Sequence, residues 1–313
     1  MFSIVNHIDT LMNFDSTANY IFSRNNEINH VDLVKLRNGE VKIAVFAVFI
    51  ESKYKPEFAL QRTIQLIDRF QLLIDNNEEL KFIKNYSDIR EVMKSDHIGV
   101  MLSIEGADGI FDLSALRTFF RLGVRMISLT WNQRNHLADG IGEVEANGGL
   151  TLLGKKMIEE MNKLKIIIDV SHIAPAGFWD IAKHSKSPFI ASHSNSKAIY
   201  QHKRNLDDKQ IKEIGKKSGI IGINFAPFFI SNKKKTEIKD LIKHIDYIKD
   251  LVGIDKITLG TDYDGIDMTP KGLENIGRLK NLEEELFIQG YQKEEIEKIF
   301  YKNNLNFFEK IWA

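Results

Sequence analysis

The chain has 313 residues, no Cys, and 43 basic residues (Lys plus Arg) balanced by 43 acidic ones, so its formal net charge is zero. This balance argues against a nucleic-acid partner or an anionic membrane partner, since both need a net basic surface. The absence of Cys excludes disulfides, thiolate metal ligands and thiol nucleophiles. Any metal site would therefore be built from His, Asp and Glu.

The start of the chain predicts a cytoplasmic protein. The first ten residues, MFSIVNHIDT, lack the basic and apolar regions of a signal peptide. The longest apolar run, IAVFAVFI, has the length of a strand, whereas a bilayer-spanning helix needs about 20 apolar residues.

No Pro-, Gly- or Ser-rich linker divides the chain, so we expect one domain over residues 1–313.

Short apolar runs alternate with amphipathic stretches along the whole chain. Most of these runs are unbroken, which is typical of parallel strands covered on both faces. The predicted strands are Phe2–Asn6, Val41–Ile50, Gly99–Ile104, Val124–Thr130, Ile166–Val170, Phe189–Ser192, Ile220–Phe225 and Ile257–Gly260. The predicted helices are Glu57–Asn76, Ser87–Lys94, Leu113–Leu122, Thr151–Leu164, Phe178–Lys183, Asp207–Lys217, Lys234–Val252 and Leu282–Gln289, with one or two more over Lys293–Trp312.

Eight strands separated by helices predict an α/β fold, a single (β/α)8 TIM-type barrel with extra C-terminal helices. A doubly wound open sheet is the alternative, but no GxGxxG or GxxxxGK[ST] motif opens any strand–helix unit. Two stretches, Asp9–Val31 and Trp131–Gly149, break the alternation. Because both follow a predicted strand, we expect long loops there on the active face of the barrel.

Polar side chains follow five of the predicted strands. They are His7 and Asp9 after the first strand, Glu105 after the third, His172 after the fifth, His193 after the sixth and Asp262 after the eighth. The carboxyl ends of barrel strands meet at one face, where barrel active sites lie. The sequence therefore predicts that these six side chains share the barrel mouth.

Imidazoles and carboxylates together suit Zn²⁺, and also Mn²⁺ or Fe²⁺. A pair of ions needs a bridging carboxylate, and Glu105 is the natural candidate. Two ions ~3.5–4 Å apart can hold a bridging water of lowered pKa, which would serve as a hydroxide nucleophile. The predicted reaction class is hydrolysis of an amide or ester.

Each position also has a structural explanation. A His after a strand is often a hydrogen-bonded structural residue, and an Asp there is often the N-cap of the next helix. The segment Asp262–Gly265 could form a simple turn. Among the other histidines, His97, His184 and His244 are interpreted as structural or solvated, and His30 is uninformative. What favours the metal site is that five strand ends supply the required ligand types together.

The motifs resemble the membrane (renal-type) dipeptidase family, which are zinc-dependent barrel enzymes. The resemblance extends over nearly the whole chain. It is carried by HIDTL at 7–11, SIEGADGI at 103–110, LGVRMISLTWN at 122–132, GGLTLLGKKMIEEMNKLKIIIDVSH at 148–172, SPFIASHSNSKAIYQHKRNLDDKQIKEI at 187–214 and ITLGTDYDG at 257–265.

The resemblance implies two divalent metal ions, with Zn²⁺ as the expected metal, and a dipeptide substrate. His7 and Asp9 match the ligands of one ion, His172 and His193 match those of the other, and Glu105 matches the bridge. Arg204 matches the arginine that holds the substrate carboxylate. Asp262 matches the acidic residue that carries a proton to the leaving amine. The resemblance also suggests acceptance of a C-terminal D-residue and a tendency to form homodimers.

One position departs from the family pattern. Family members have His where this chain has Trp131, and that His is thought to polarise the scissile carbonyl. An indole donates one N–H but carries no charge. Three explanations stay open: the metal ions act alone, His136 reaches in from the same loop, or the substrate differs. The Trp131 face could then pack against an apolar substrate side chain.

Two other classes of function remain alternatives to a dipeptidase. One is a binuclear metal hydrolase that acts on other small amides or lactones. The other is a barrel that binds metal but has weak or no dipeptidase activity, an alternative prompted by Trp131.

Overall fold

The computed structural model describes residues 1–16 and 21–313. Within these ranges the strands all pair in parallel. They are β1 (Ser3–Ile8), β2 (Val41–Phe49), β3 (Leu80–Phe82), β4 (Ile98–Glu105), β5 (Val124–Ser128), β6 (Ile167–Asp169), β7 (Phe189–Ala191), β8 (Ile220–Ile223) and β9 (Ile257–Leu259). Pairing of β2 with β4 closes eight of them into a ring of order β1-β2-β4-β5-β6-β7-β8-β9. The predicted (β/α)8 barrel is confirmed.

The ninth strand, β3, was not predicted. It pairs with the amino-terminal part of β4, where Leu80 aligns with Ile98, whereas β5 pairs with β4 only from Leu102 onward. β3 therefore lies beside the ring without taking part in its closure. Its sequence is LKF, preceded by two glutamates, and it contains no apolar run that could have predicted it.

The helices lie between the strands, as the alternation predicts. They are α1 (Asn13–Ser16), α2 (Leu33–Asn38), α3 (Ala59–Asp75), α4 (Tyr86–Val92), α5 (Leu113–Arg121), α6 (Leu152–Leu164), α7 (Pro175–His184), α8 (Asp208–Lys216), α9 (Pro227–Ile230), α10 (Ile238–Val252), α11 (Leu279–Ile288), α12 (Lys293–Glu297) and α13 (Asn303–Trp312). A π-helical stretch, Lys298–Lys302, joins the last two. In the part of the chain that the structure describes, no helix is both long and apolar enough to cross a bilayer.

The predicted helices are present with ends shifted by a few residues, but α2 and α9 were missed because both are short. Of the predicted loop Asp9–Val31, residues 17–20 lie outside the described ranges, and a 3-10 turn at Thr10–Met12 and α1 occupy its start. The second predicted loop, Trp131–Gly149, contains a 3-10 segment at Ile141–Ala146.

The barrel interior and the C-terminal helix form one apolar cluster. Seven of the eight ring strands contribute to it, through Ile4, Ile43, Val45, Met101, Met126, Ile167, Ile190 and Ile220. Phe307, Phe308 and Ile311 of α13 belong to the same cluster. The extra C-terminal helices therefore cover one end of the barrel and leave the carboxyl ends of the strands to the site.

Candidate metal centre and active site

The first strand carries an irregularity beside His7. Val5 pairs with Ala44 and Ile8 pairs with Phe46, so β1 has one more residue than β2 over this interval. Val5 and Ile8 consequently both pack in the cluster between the strands and the helices, which strict alternation would not allow. Such bulges re-aim side chains next to active sites. Without the bulge, His7 would share the helix-facing side of β1 with Val5. With the bulge, Ile8 takes that side and His7 is directed towards Glu105.

The predicted strand-end residues converge in one buried cluster. The candidate ligand atoms of His7, Glu105 and His193 all lie within 4.8 Å of one another, as do those of His7, Asp9 and Asp262. Glu105 Oε1 is 2.9 Å from His172 Nε2 and 3.4 Å from His193 Nε2. Glu105 Oε2 is 3.7 Å from His7 Nε2. Glu105 therefore stands between the His7 group and the His172–His193 pair.

Hydrogen bonds on the far side of each ring orient His172 and His193. His172 Nδ1 lies 2.9 Å from Asn132 Oδ1. His193 Nδ1 lies 2.8 Å from Ser192 Oγ, whose hydroxyl donates to Asp169 Oδ2 at 2.5 Å. Both partners thus act as acceptors, which assigns the proton of each ring to Nδ1 and leaves Nε2 as a free lone pair.

This arrangement fits a cation. The two Nε2 atoms lie 2.9 Å apart, and each also faces Glu105 Oε1. Three electron-pair donors crowded together without a proton repel one another unless a positive ion lies among them. In addition, Asp9 Oδ1 is buried and makes no hydrogen bond within the described residues, while His7 Nε2 lies 3.2 Å from Asp9 Oδ2 in a contact that is not a well-formed hydrogen bond. Buried polar atoms left in this way indicate a missing partner.

The pKa values of the three histidines reflect their burial and the charges around them. Burial lowers the pKa of His172 to about 3, and the positive charge of Arg204 adds to the effect, so the imidazole is in the neutral form that binds metals. Burial also lowers the pKa of His193. For His7 burial alone would lower the pKa, but the surrounding carboxylates, first Asp9 and then Glu105, outweigh it and raise the pKa to about 10. Burial also raises the pKa of Asp9, so without an ion this side of the cluster holds protons that a divalent cation would displace.

Asp262 lies in a turn after β9 and joins the cluster with its backbone in the left-handed region. Its φ is 63°, and Gly265 N donates to its carbonyl oxygen at 3.1 Å, so the segment does form a turn. Such a φ is uncommon for a non-glycine residue, although Asp adopts it more readily than most. Asn224 Nδ2 donates to Asp262 Oδ2 at 2.8 Å. Burial raises the pKa of Asp262, but His193, His7 and this hydrogen bond outweigh it and keep the pKa below its usual value.

Arg204 lies behind the cluster and is 6% exposed. Its Nη2 donates to the carbonyl oxygen of His193 at 3.2 Å, while its Nε is buried and makes no hydrogen bond within the described residues. The guanidinium carbon is 5.5 Å from the ring centre of Phe229. A buried guanidinium with an unsatisfied N–H can still accept a carboxylate partner.

A cavity of about 190 Å³ opens beside the cluster. Its lining comprises Asp9, Met12, Phe49, Glu105, Trp131, Asn132, His172, Phe228, Phe229, Asp262, Gly265 and Ile266. Trp131 is thus brought to the site. His136 is not in this lining, because its Nε2 lies 2.8 Å from the carbonyl oxygen of Ile110 and its ring stacks on Phe111.

Four residues that orient the site were missed by sequence reasoning: Asn132, Asp169, Ser192 and Asn224. The signal for Asp169 and Asn224 was a single polar residue at the end of an otherwise apolar strand run. Ser192 and Asn132 directly adjoin predicted site residues, His193 and Trp131. His244 is buried and bonded to Ile230 O and Ser196 N, in agreement with its structural interpretation.

Fold and site together define a parallel (β/α)8 barrel with a buried cluster of metal-binding side chains at the carboxyl ends of its strands. The family model of the membrane dipeptidases (peptidase family M19) matches residues 1–312. The chain belongs to the membrane dipeptidase family.

Individual relatives agree with this assignment. An uncharacterized protein in the pqqA 5′ region of Klebsiella pneumoniae is 33% identical over 253 residues, 77% of this chain and 93% of that protein. Dipeptidase tcpJ of Claviceps purpurea is 30% identical over 290 residues, 88% of this chain and 67% of that protein. The crystal structure of dipeptidase AC, an M19 metallopeptidase, superposes with a TM-score of 0.94 at 25% identity and covers 100% of this chain and 99% of its own.

Proposed function

We propose that this chain hydrolyses the peptide bond of dipeptides in a metal-dependent reaction. The observation that carries the proposal is Glu105, whose two carboxylate oxygens face His172 and His7 in one buried cluster beside a small cavity. Family membership supports the same activity, since the matching family model is that of the membrane dipeptidases.

The five residues that would hold two divalent ions are His7, Asp9, Glu105, His172 and His193. Zn²⁺ is the metal we propose, because neutral imidazoles and carboxylates are ligands that it prefers. When bound, the ions would supply activation of water and polarisation of the scissile carbonyl. The chain's own contribution is to place the proton of His172 and of His193 on Nδ1, through Asn132 and Ser192 on the far sides of the two rings, so that each Nε2 is free to bind an ion.

Arg204 and Asp262 complete the proposed mechanism. Arg204 would hold the carboxylate of the dipeptide, for which its buried, unsatisfied Nε–H is suited. Asp262 would accept a proton from the attacking water and pass it to the leaving amine. Its lowered pKa keeps it ionised at neutral pH, and Asn224 fixes one of its oxygens. Trp131 would contact the substrate as part of the cavity wall.

The test is a screen of L-L and L-D dipeptides with purified, zinc-loaded protein. We expect release of free amino acids from at least part of the panel, including dipeptides with a C-terminal D-residue. Amide and lactone substrates without a free carboxylate form the comparison set. A hydrolase of such compounds is the second candidate function, because Trp131 stands where family members have His. Turnover of that set alone, with no dipeptide cleaved, would contradict a dipeptidase.

A further inference from the structure

We infer that Trp131 makes this active site select dipeptides that carry a bulky apolar side chain. The inference rests on the proposed dipeptidase function and specifies its substrate class. Trp131 would act as a specificity-determining residue through the shape and polarity of the cavity wall.

The composition of the cavity favours an apolar ligand. Half of its lining is apolar or aromatic: Met12, Phe49, Trp131, Phe228, Phe229 and Ile266. The polar residues of the lining are already committed. Asp9, Glu105, His172 and Asp262 belong to the metal-binding cluster, and Asn132 holds His172. Among the described residues, the polar side chains of this lining are therefore occupied at the metal-binding cluster, and the remaining residues offer an apolar surface to the side chain of a substrate.

The indole of Trp131 is held in place by its neighbours. Its ring meets Phe49 edge to face, with ring centres 5.1 Å apart and an interplanar angle of 64°. Lys55 Nζ lies 5.6 Å from the centre of the indole, a cation–π distance. A Cβ on Gly106 would come 3.3 Å from Trp131 N, so the backbone of this loop packs closely on the residue after Glu105. A preorganised wall costs little entropy when a ligand binds.

The positive charge behind Trp131, on Lys55, is paired. Lys55 Nζ pairs with Asp108 Oδ2 at 3.1 Å, and the two side chains are 9% and 7% exposed. Lys55 is not in the cavity lining, and its charge is balanced by Asp108. Trp131 thus offers an apolar face to the substrate, and the Lys55 charge behind it is neutralised by Asp108. A hydrophobic pocket typically discriminates by about 10–200-fold per methylene group at most.

The experiment compares kcat/KM for Leu-Leu, Gly-Gly and Glu-Glu in the zinc-loaded wild type and three variants. Trp131→Ala removes the indole from the cavity lining, and Trp131→Phe keeps an aromatic ring there. Trp179→Ala is the matched control. Trp179 lies on α7, is 40% exposed and is not in the cavity lining. Metal content of every variant is measured alongside.

We expect the wild type to prefer Leu-Leu over both other substrates by about tenfold or more. Trp131→Ala should reduce the Leu-Leu to Gly-Gly ratio by about tenfold, whereas Trp131→Phe should retain most of it and Trp179→Ala all of it. An unchanged ratio in Trp131→Ala, with metal retained, would overturn this inference while leaving dipeptide hydrolysis intact. If Trp131→Ala does not fold, the Leu-Leu to Gly-Gly ratio is compared between the wild type and Trp131→Phe. A wild type that shows no preference for Leu-Leu then overturns this inference. Failure of the wild type on every dipeptide would overturn the proposed function together with it.

Discussion

Glu105 and His172 meet at 2.9 Å between Oε1 and Nε2, at the point where β4 ends and the loop after β6 begins. The other carboxylate oxygen of Glu105 is 3.7 Å from His7 Nε2. The Glu105 carboxylate therefore faces candidate ligands from two distant parts of the chain, His7 on β1 and His172 after β6. This is the geometry on which a bridged pair of ions would depend.

Replacing Glu105 tests that dependence. We expect Glu105→Gln to bind fewer than two equivalents of metal and to lose dipeptide hydrolysis, because an amide offers one neutral oxygen in place of two charged ones. Metal analysis of the purified protein and a dipeptide assay measure both effects. Glu91→Gln is the control, since Glu91 pairs with Lys81 on the surface and is 59% exposed. Two equivalents of metal and full activity in Glu105→Gln would contradict the bridging role.

The Asp169–Ser192–His193 chain should set metal affinity. Ser192→Ala removes the oxygen that accepts from His193 Nδ1 and donates to Asp169 Oδ2. We expect metal affinity to fall by about 10–100-fold, as is typical when the outer partner of a ligand His is lost. Competition with a chelator measures the change. Ser114→Ala, at the exposed start of α5, should leave affinity unchanged, and equal affinities for both variants would refute the role of Ser192.

Asp262 should affect turnover more than metal binding. Asp262→Asn keeps the shape of the side chain but removes the basic oxygen, so we expect kcat to fall by about 10²–10⁴-fold, the usual contribution of a general base. Asn224→Ala, which deletes the hydrogen bond to Asp262 Oδ2, should give a smaller loss in the same direction. Steady-state kinetics with parallel metal analysis separate the two effects. A normal kcat in Asp262→Asn would exclude it as the proton carrier.

Arg204 should determine recognition of the substrate carboxylate. We expect Arg204→Lys to raise KM for dipeptides by about 10–100-fold, because a hydrogen bond to a charged group contributes ~1.5–3 kcal/mol. A lysine keeps the charge of this buried position but lacks the planar fork. Amidated dipeptides serve as the matched substrate, and their KM should not change. A parallel rise for both substrates would show that Arg204 acts through structure alone.

Much of the fold was predictable because parallel strands buried on both faces leave continuous apolar runs in the sequence. The ring strands have such runs, whereas β3 is three residues long with a central Lys. The short helices α2 and α9 were missed for a similar reason, since four to six residues do not establish a helical period.

The candidate ligands were predictable because each stands at the end of a strand, and barrel strands share one carboxyl face. The residues that orient them were not, since hydrogen-bond partners are set by tertiary packing and not by spacing. Asp169, for example, accepts from Ser192 across two neighbouring strands. The bulge at His7 likewise appears only when β1 is paired with β2.

Dipeptide hydrolysis by this chain is expected to depend on metal held by the cluster. The most direct measurement is metal content per chain together with hydrolysis of a cleaved dipeptide, before chelation, after chelation and after return of Zn²⁺. We expect two equivalents of divalent metal, loss of hydrolysis when they are removed, and recovery when Zn²⁺ is restored. Undiminished hydrolysis by the metal-free protein would contradict it.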